Sequence, residues 1–354
     1  MEGDDEEASS STTTIFIPTF NSSLDILYGV LFLVCFLAGS LGNTCCFFFF
    51  RSRKRDVSNW IYQLITVNDI VICVSVLPVG LAYLNHRSPG LLFVTKWTCV
   101  SWTYIWNSNC RLSVFLVVVL CSSRTWSLLR PFYPQKTGLV LGVVLVYFIF
   151  TLLQLVGIHL QPGFTLGYDA DFGTCSVVVD YDLFNTSDDT NMVWILLEIG
   201  MIVTFCLPLV VVTISSTIST YLLNRQMISN MECSSASSRR LVDSRRKASI
   251  TILIFSLVYG FFNLPLVTLF VVQSIESRSG QLFKDAIFHF DMRDPEYYYY
   301  TFNYIYTLST ALNSAINPIL YLWRMPDCRT TILKCIKTLL RKTPDPTTSV
   351  YLSR

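Results

Sequence analysis

The stretch ILYGVLFLVCFLAGSLGNTCCFFFF, residues 26–50, contains no charged residue and decides the class of fold. A helix rises about 1.5 Å per residue, so this stretch is long enough to cross a hydrocarbon core of roughly 30 Å. The segment before it is acidic, whereas a secretory signal peptide begins with basic residues. We therefore expect the stretch to remain in the mature protein as a membrane-spanning helix.

Six further apolar stretches follow the first, and short polar segments separate them. They lie near residues 57–84, 97–123, 137–160, 192–224, 248–275 and 297–323. Of the 354 residues, 52% are hydrophobic and only 14% are charged, which is too apolar a composition for the surface of a soluble globular protein. The sequence therefore predicts an all-α, seven-transmembrane helix bundle in a lipid bilayer, with a short amphipathic helix after the last span.

Basic residues indicate the orientation of this bundle. Most of the 26 Lys and Arg residues fall on the side that carries the C-terminus, and an excess of Lys and Arg marks the cytoplasmic side. The glycosylation sequons at Asn21 and Asn185 fall on the opposite side, together with most acidic residues. We expect a multi-pass plasma-membrane protein with its N-terminus outside and its C-terminus in the cytoplasm.

This orientation divides the chain into three parts. Residues 1–25 form an extracellular tail, residues 26–323 form the membrane domain, and residues 324–354 form a cytoplasmic amphipathic segment and tail. Only Cys99 and Cys175 of the 12 cysteines face the oxidising side, so we expect a disulfide between them, with two free thiols as the alternative. In the last segment Cys328 and Cys335 lie in a basic stretch that we expect at the inner membrane surface. Cys335 is the candidate for palmitoylation.

Asp69 lies deep in the second span, where insertion of an ionised side chain costs roughly 2.5–3.5 kcal/mol. Counting along the helices places other polar side chains at a similar depth or beside it. These are Asn43, Ser113, Asn313, Ser314 and Asn317. Two interpretations stay open and are compatible: a hydrogen-bonded network that holds the helices together, and a site for sodium, a small hard cation that suits oxygen ligands.

The segment Asn317-Pro318-Ile319-Leu320-Tyr321 resembles the NPxxY signature that closes the seventh helix of rhodopsin-like (class A) G-protein-coupled receptors. Other features resemble the same family, each in the expected helix: Gly42-Asn43, Asp69, Arg124, Pro208 and Pro265. The resemblance covers nearly the whole chain. It implies a receptor that binds an extracellular ligand and activates a heterotrimeric G protein, and it implies no enzymatic activity.

The resemblance also implies roles for individual residues. The polar residues around Asp69 match the sodium pocket of the family, and Arg124 matches the arginine that releases its contacts when the G protein docks. The predicted activation switch comprises Arg124, Asn263, Pro265, Pro208 and Tyr321. Two of the family's features are changed, because Ser123 replaces the acid before the arginine and Asn263 replaces an aromatic residue. We therefore expect elevated basal activity.

The chemistry of the ligand is constrained by residue types that two of the spans lack and by the charge of the outer segments. The seventh span has no lysine for a retinal Schiff base, and the third has no acidic residue to hold an amine. Acidic outer segments favour a cationic ligand, and a basic peptide fits. Arg111, in the middle of the third span, needs Glu198, a backbone carbonyl or an anionic group of the ligand as its partner. The candidate pocket residues are Trp102, Trp106, Arg111, Glu198 and Tyr304.

Other functions stay open at this point. A receptor-like decoy or scaffold without signalling fits the changes at Ser123 and Asn263. A small transporter or channel would also carry buried charges, but the chain shows no internal repeat and no pair of broken helices. No pattern for nucleic-acid binding, metal clusters or nucleophilic catalysis is present, so we expect no cofactor beyond a structural sodium ion.

Overall fold

The structure is a computed structural model of the chain. It describes residues 22–53, 56–84, 96–130, 136–159, 164–169, 174–179, 202–231, 250–251, 253–264, 267–268 and 295–342. Five of its described helices are long and apolar enough to cross a membrane. Asn21 and Asn185, the predicted glycosylation sites, lie outside these residues.

A described helix lies on each of the seven predicted spans. Helix α1 consists of Ser22–Val34, a π-helical turn at Cys35–Gly39 and Ser40–Arg51, and it is followed by α2 (Val57–Leu84), α3 (Lys96–Leu129), α4 (Thr137–His159), α5 (a π-helical turn at Ile202–Cys206 and Leu207–Met231), α6 (Leu253–Leu264), α7 (Pro295–Arg324) and α8 (Pro326–Lys342). The all-α class and the helix after the last span are confirmed. Helix α3 runs about two turns beyond its predicted end.

A β-hairpin between α4 and α5 was not predicted. Strands β1 (Phe164–Asp169) and β2 (Thr174–Val179) pair antiparallel, and Tyr168 stands opposite Cys175. Both strands approach the backbone of α3. The side chains of Cys99 and Cys175 are not among those that the structure describes, so their disulfide stays a prediction.

The core and the lipid-facing surface are both apolar. One buried cluster includes Phe50, Tyr62 and Tyr321, and a second includes Phe32 and Trp106. On the outside of the bundle, large apolar side chains are strongly exposed. Examples are Leu41, Phe48, Leu139, Val146 and Leu153. Such a surface suits a hydrocarbon solvent, in which an exposed leucine carries no penalty.

Helices α1 and α7 pack closely because α1 has a glycine at the contact. A Cβ atom built on Gly42 would lie 2.7 Å from Cβ of Pro318, so any larger side chain would force the two helices apart. Further along the same seam, a Cβ atom on Gly39 would lie 3.2 Å from Cα of Ala315. This seam brings α7 against the face of α1 that carries Asn43.

Helix α8 is attached to the end of the bundle that carries Arg51, Arg53, Arg130 and Lys136, which we call the basic end. Arg53 forms an ion pair with Asp327 in the first turn of α8. Cys328 is fully buried and belongs to the core cluster of Phe50 and Tyr321. Cys328 is therefore not accessible to an acyltransferase, whereas the side chain of Cys335 lies outside the described set.

Candidate functional site

A layer of buried polar groups joins α1, α2 and α7. Asn317 Nδ2 donates a hydrogen bond to Oδ2 of Asp69 at 2.7 Å, and Asn43 Nδ2 donates to the backbone carbonyl of Ser314 at 3.1 Å. Asp69, Asn43 and Ser314 have no exposed surface, and Asn317 is also buried. Asp69 and Asn317, two of the six residues of the predicted network, are therefore in direct contact.

Three oxygen atoms of this layer are buried without a hydrogen-bond partner among the described residues. They are Oδ1 of Asp69, Oδ1 of Asn43 and Oγ of Ser314. An anionic carboxylate oxygen with neutral amide and hydroxyl oxygens is the ligand chemistry that small hard cations prefer. The donor set therefore fits a sodium ion. Ser113 and Asn313, which counting along the helices placed at a depth similar to that of Asp69, are buried too.

Tyr321 lies beside this layer, in a cluster of aromatic rings at the basic end. Its ring centroid is 5.1 Å from that of Phe50 in α1, 5.6 Å from that of Tyr62 in α2 and 5.0 Å from that of Phe255 in α6. Tyr321 is fully buried, and its hydroxyl has no hydrogen-bond partner in the described part of the chain. Displacement of α6 would break the contact between Tyr321 and Phe255.

A second polar cluster joins α3, α5 and α6, and we call it the hydroxyl chain. Its members are Cys121 and Thr125 of α3, Ser215, Ser216 and Ser219 of α5, and Ser256 of α6. All six side chains are buried. The cluster lies within one turn of Arg124 along α3.

Each helix of the hydroxyl chain is bonded to another. Oγ1 of Thr125 lies 2.9 Å from Oγ of Ser219, and it also donates to the backbone carbonyl of Ser215 at 3.1 Å. Ser216 Oγ donates to Ser256 Oγ at 2.8 Å, and Ser256 Oγ lies 3.3 Å from Sγ of Cys121. The four contacts described here join the three helices through neutral hydroxyl, thiol and carbonyl groups.

The remaining residues of the predicted switch are placed as follows. Arg124 is half-buried, Ser123 beside it is buried, and Pro208 is buried near the start of α5. Asn263 donates to the backbone carbonyl of Tyr259 at 2.8 Å, within its own helix. Pro265 lies outside the described residues. Their role as a switch stays a prediction.

The predicted ligand-contact residues of α3 lie in an aromatic cluster away from the basic end. Trp102 and Trp106 stack with ring centroids 5.9 Å apart, and Tyr306 of α7 meets Trp106 edge-on at 6.5 Å. Trp102 also donates from Nε1 to the backbone carbonyl of Ser75 at 2.9 Å. Trp106 is only 4% exposed, so in this conformation it is part of the core. Glu198 and the Tyr304 side chain lie outside the described set.

Arg111 has a partner that the sequence interpretation did not name. Its Nη1 donates to Oε1 of Gln154 in α4 at 2.7 Å. One turn further along α3, Phe115 stacks on Tyr147 of α4 with ring centroids 3.8 Å apart. The sequence signal for this contact was the single glutamine, Gln154, in the largely apolar fourth span.

The sequence signal for the hydroxyl chain was the spacing of Ser215, Ser216 and Ser219 along one face of α5.

Comparison with known protein families gives one match. The family described as "7 transmembrane receptor (rhodopsin family)" matches residues 42–321, which is most of the chain and includes every element from the Gly42 seam to Tyr321. A comparison with curated proteins gave no significant match.

Proposed function

The chain belongs to the rhodopsin family of seven-transmembrane receptors, and from this premise we propose that it binds an extracellular ligand and activates a heterotrimeric G protein at its basic end. It is a multi-pass membrane receptor and not an enzyme. In this proposal the basic end faces the cytoplasm, because Lys and Arg accumulate on that side of membrane proteins.

The hydroxyl chain is the observation that carries the proposal. It holds α5 and α6 to α3 next to Arg124, and it does so with bonds such as that between Thr125 and Ser219. Hydrogen bonds between helices in membrane bundles contribute only about 0.6 kcal/mol each on average. A ligand that binds the separated state somewhat more tightly therefore shifts the equilibrium toward it. Separation would open a cleft beside Arg124 for the G protein.

Two further contacts support a movement of this kind. Pro208 lies in the first turn of the α-helical part of α5, and in the sequence Pro265 directly follows the described part of α6. A proline removes one helical hydrogen bond and permits a bend. The ring of Tyr321 contacts Phe255 in α6 and Phe50 in α1. Movement of α6 would release the Tyr321 ring from Phe255 while α1 keeps its position. We assign these residues, with Arg124 and Asn263, to the activation switch.

A sodium ion in the polar layer is part of the proposal. Asp69, Asn43, Ser113, Asn313, Ser314 and Asn317 would hold it. Bound there, the ion would neutralise the Asp69 carboxylate and stabilise the arrangement of helices that the structure shows. The support is the set of buried oxygens without partners on Asp69, Asn43 and Ser314.

The proposed ligand is a peptide with basic residues. The segments on the side opposite the basic end are rich in Asp and Glu, and a field of negative potential favours the approach of a cationic ligand. A decoy that binds such a ligand without signalling is the second candidate, and the replacement of the usual acid by Ser123 is the observation that favours it.

The test is ligand-independent G-protein activation in cells that express the wild type, Arg124→Ala or Arg51→Ala at equal surface density. Arg51 is an exposed control at the basic end of α1, away from the hydroxyl chain. We expect basal signalling in the wild type and in Arg51→Ala, and at least a tenfold loss in Arg124→Ala. Equal signalling in all three contradicts the role of Arg124. A silent wild type that also fails to respond to basic peptides supports the decoy.

A further inference from the structure

Arg111 is a positive charge in the middle of the bundle, and the partner that it has there is neutral. It lies 15 residues into α3, which places it about 22 Å along the helix from Lys96. Its side chain is half-buried and donates from Nη1 to the amide oxygen of Gln154. Within the described part of the chain this is the one hydrogen bond of the Arg111 side chain.

Among the described residues, the groups on which the charge of Arg111 acts do not include a counter-ion. Its charge acts on Cys110, on Tyr147 of α4 and on Tyr306 of α7, all of which are neutral in ordinary conditions. The ion pair of Arg53 and Asp327 lies at the basic end. In the described part of the chain, the guanidinium of Arg111 therefore bonds an amide, and its charge acts on a thiol and two phenols rather than on a carboxylate.

This arrangement is incomplete in electrostatic terms. A charged side chain far from the membrane surface is costly, and such residues normally pair with an opposite charge, face a water-filled cavity or contact a ligand. A guanidinium presents five N–H donors in a planar fork, and the oxygen of Gln154 accepts only one of them. The group that matches the rest of the fork is a carboxylate, which accepts two parallel hydrogen bonds.

Resting on the proposed function, we propose that Arg111 binds a carboxylate of the ligand. Gln154 is a positioning residue, because its bond to Nη1 holds the guanidinium in one orientation. The charge of Arg111 acts on Tyr306, and the Tyr306 ring meets that of Trp106 edge-on. These two rings would contact an apolar or aromatic body attached to the carboxylate. A peptide with basic residues and a free C-terminus satisfies both the acidic outer segments and Arg111.

The test measures the melting temperature of the purified full-length receptor in nanodiscs with four probes. These are the tripeptide Lys-Leu-Phe as the free acid, the same peptide as the C-terminal amide, phenylacetate and phenylacetamide. A probe present at about ten times its Kd would raise the melting temperature by about 2 °C. We expect this rise with at least one acid and not with its amide. Stabilisation by the tripeptide acid alone indicates that Arg111 binds a peptide C-terminus. Stabilisation by phenylacetate alone indicates that the ligand is a small acid.

Variants locate the effect. Arg111→Gln should abolish the difference between acid and amide, and Arg111→Lys should retain part of it, because a lysine keeps the charge but not the fork. Gln154→Leu should weaken binding of the acid probe by several-fold. Arg51→Gln, which removes an exposed charge, should leave binding of the acid probe unchanged. Equal stabilisation by acid and amide, or none by either acid, overturns the proposal.

One further variant addresses an internal counter-ion. Glu198→Gln should leave the melting temperature without ligand unchanged. An equal loss of melting temperature in Glu198→Gln, Arg111→Gln and the double variant would show that the two residues already pair, and it overturns the proposal. Basal signalling of the wild type separates this result from the proposed function. A wild-type receptor that signals but is stabilised equally by acid and amide refutes only the role of Arg111.

Discussion

The two halves of the bundle are held together by different chemistry. Helices α1, α2 and α7 meet through a carboxylate and two amides, with Asp69, Asn317 and Asn43 all buried. Helices α3, α5 and α6 meet through hydroxyls and a thiol, as in the contact of Thr125 with Ser219. The polar contacts of the first half include a carboxylate, and a close glycine seam lies beside them. The contacts described in the hydroxyl chain of the second half join neutral groups.

This difference matters because the two kinds of bond differ in strength. A hydrogen bond to a charged group contributes about 1.5–3 kcal/mol, whereas a neutral bond between membrane helices contributes about 0.6 kcal/mol. The half with the stronger bonds is suited to act as a fixed frame. The half with the weaker bonds is suited to move when a ligand shifts the equilibrium, which is the movement proposed for α5 and α6.

The largest effect is expected at the bond between Asp69 and Asn317. Asn317→Ala removes the donor and leaves a buried carboxylate, so it should lower the free energy of unfolding by about 1.5–3 kcal/mol. The melting temperature of the purified receptor measures it. In an Asp69→Asn background the same substitution should cost much less, because the charge is already gone. An equal cost in both backgrounds would mean that the carboxylate does not depend on Asn317.

The next effect is expected at the seam between α1 and α7. Gly42→Val would place a side chain 2.7 Å from Pro318, and overpacking of this kind costs about 1–3 kcal/mol. Surface expression and melting temperature should both fall. Gly138→Val is the matched control, because no atom lies within 4 Å of a Cβ built on Gly138 in α4. Similar losses in both variants would attribute the effect to valine in a helix rather than to the seam.

The smallest effect is expected in the hydroxyl chain, and it should appear as signalling rather than as instability. Ser219→Ala removes one bond between α5 and α3, and about 0.6 kcal/mol corresponds to roughly a threefold rise in basal G-protein activation. Thr217→Ala is the control, because the Thr217 hydroxyl bonds only the carbonyl of Thr213 in its own helix among the described groups. Unchanged basal activation in Ser219→Ala would contradict the proposal that the hydroxyl chain restrains α5 and α6.

Much of the fold follows from the sequence because the solvent is hydrocarbon. A charge-free run such as residues 26–50 has one stable form in a bilayer, since a helix satisfies its own backbone hydrogen bonds. The depth count brought Asp69 and Asn313 to one level, and Asn317, one turn from Asn313 on the same face, is in contact with Asp69. The hairpin that contains Cys175 was not predicted, because short strands in a loop leave a weak pattern in the sequence.

The sequence by itself determined that the chain crosses the membrane, which end of the bundle is basic and which polar residues lie deep within it. These are properties of composition and of distance along a helix. Only the tertiary structure decided which polar groups meet: Arg111 with Gln154, and Thr125 with Ser219. Contacts between helices depend on the rotation and closeness of each pair. Those are set by packing at seams such as Gly42 against Pro318, and no single helix encodes them.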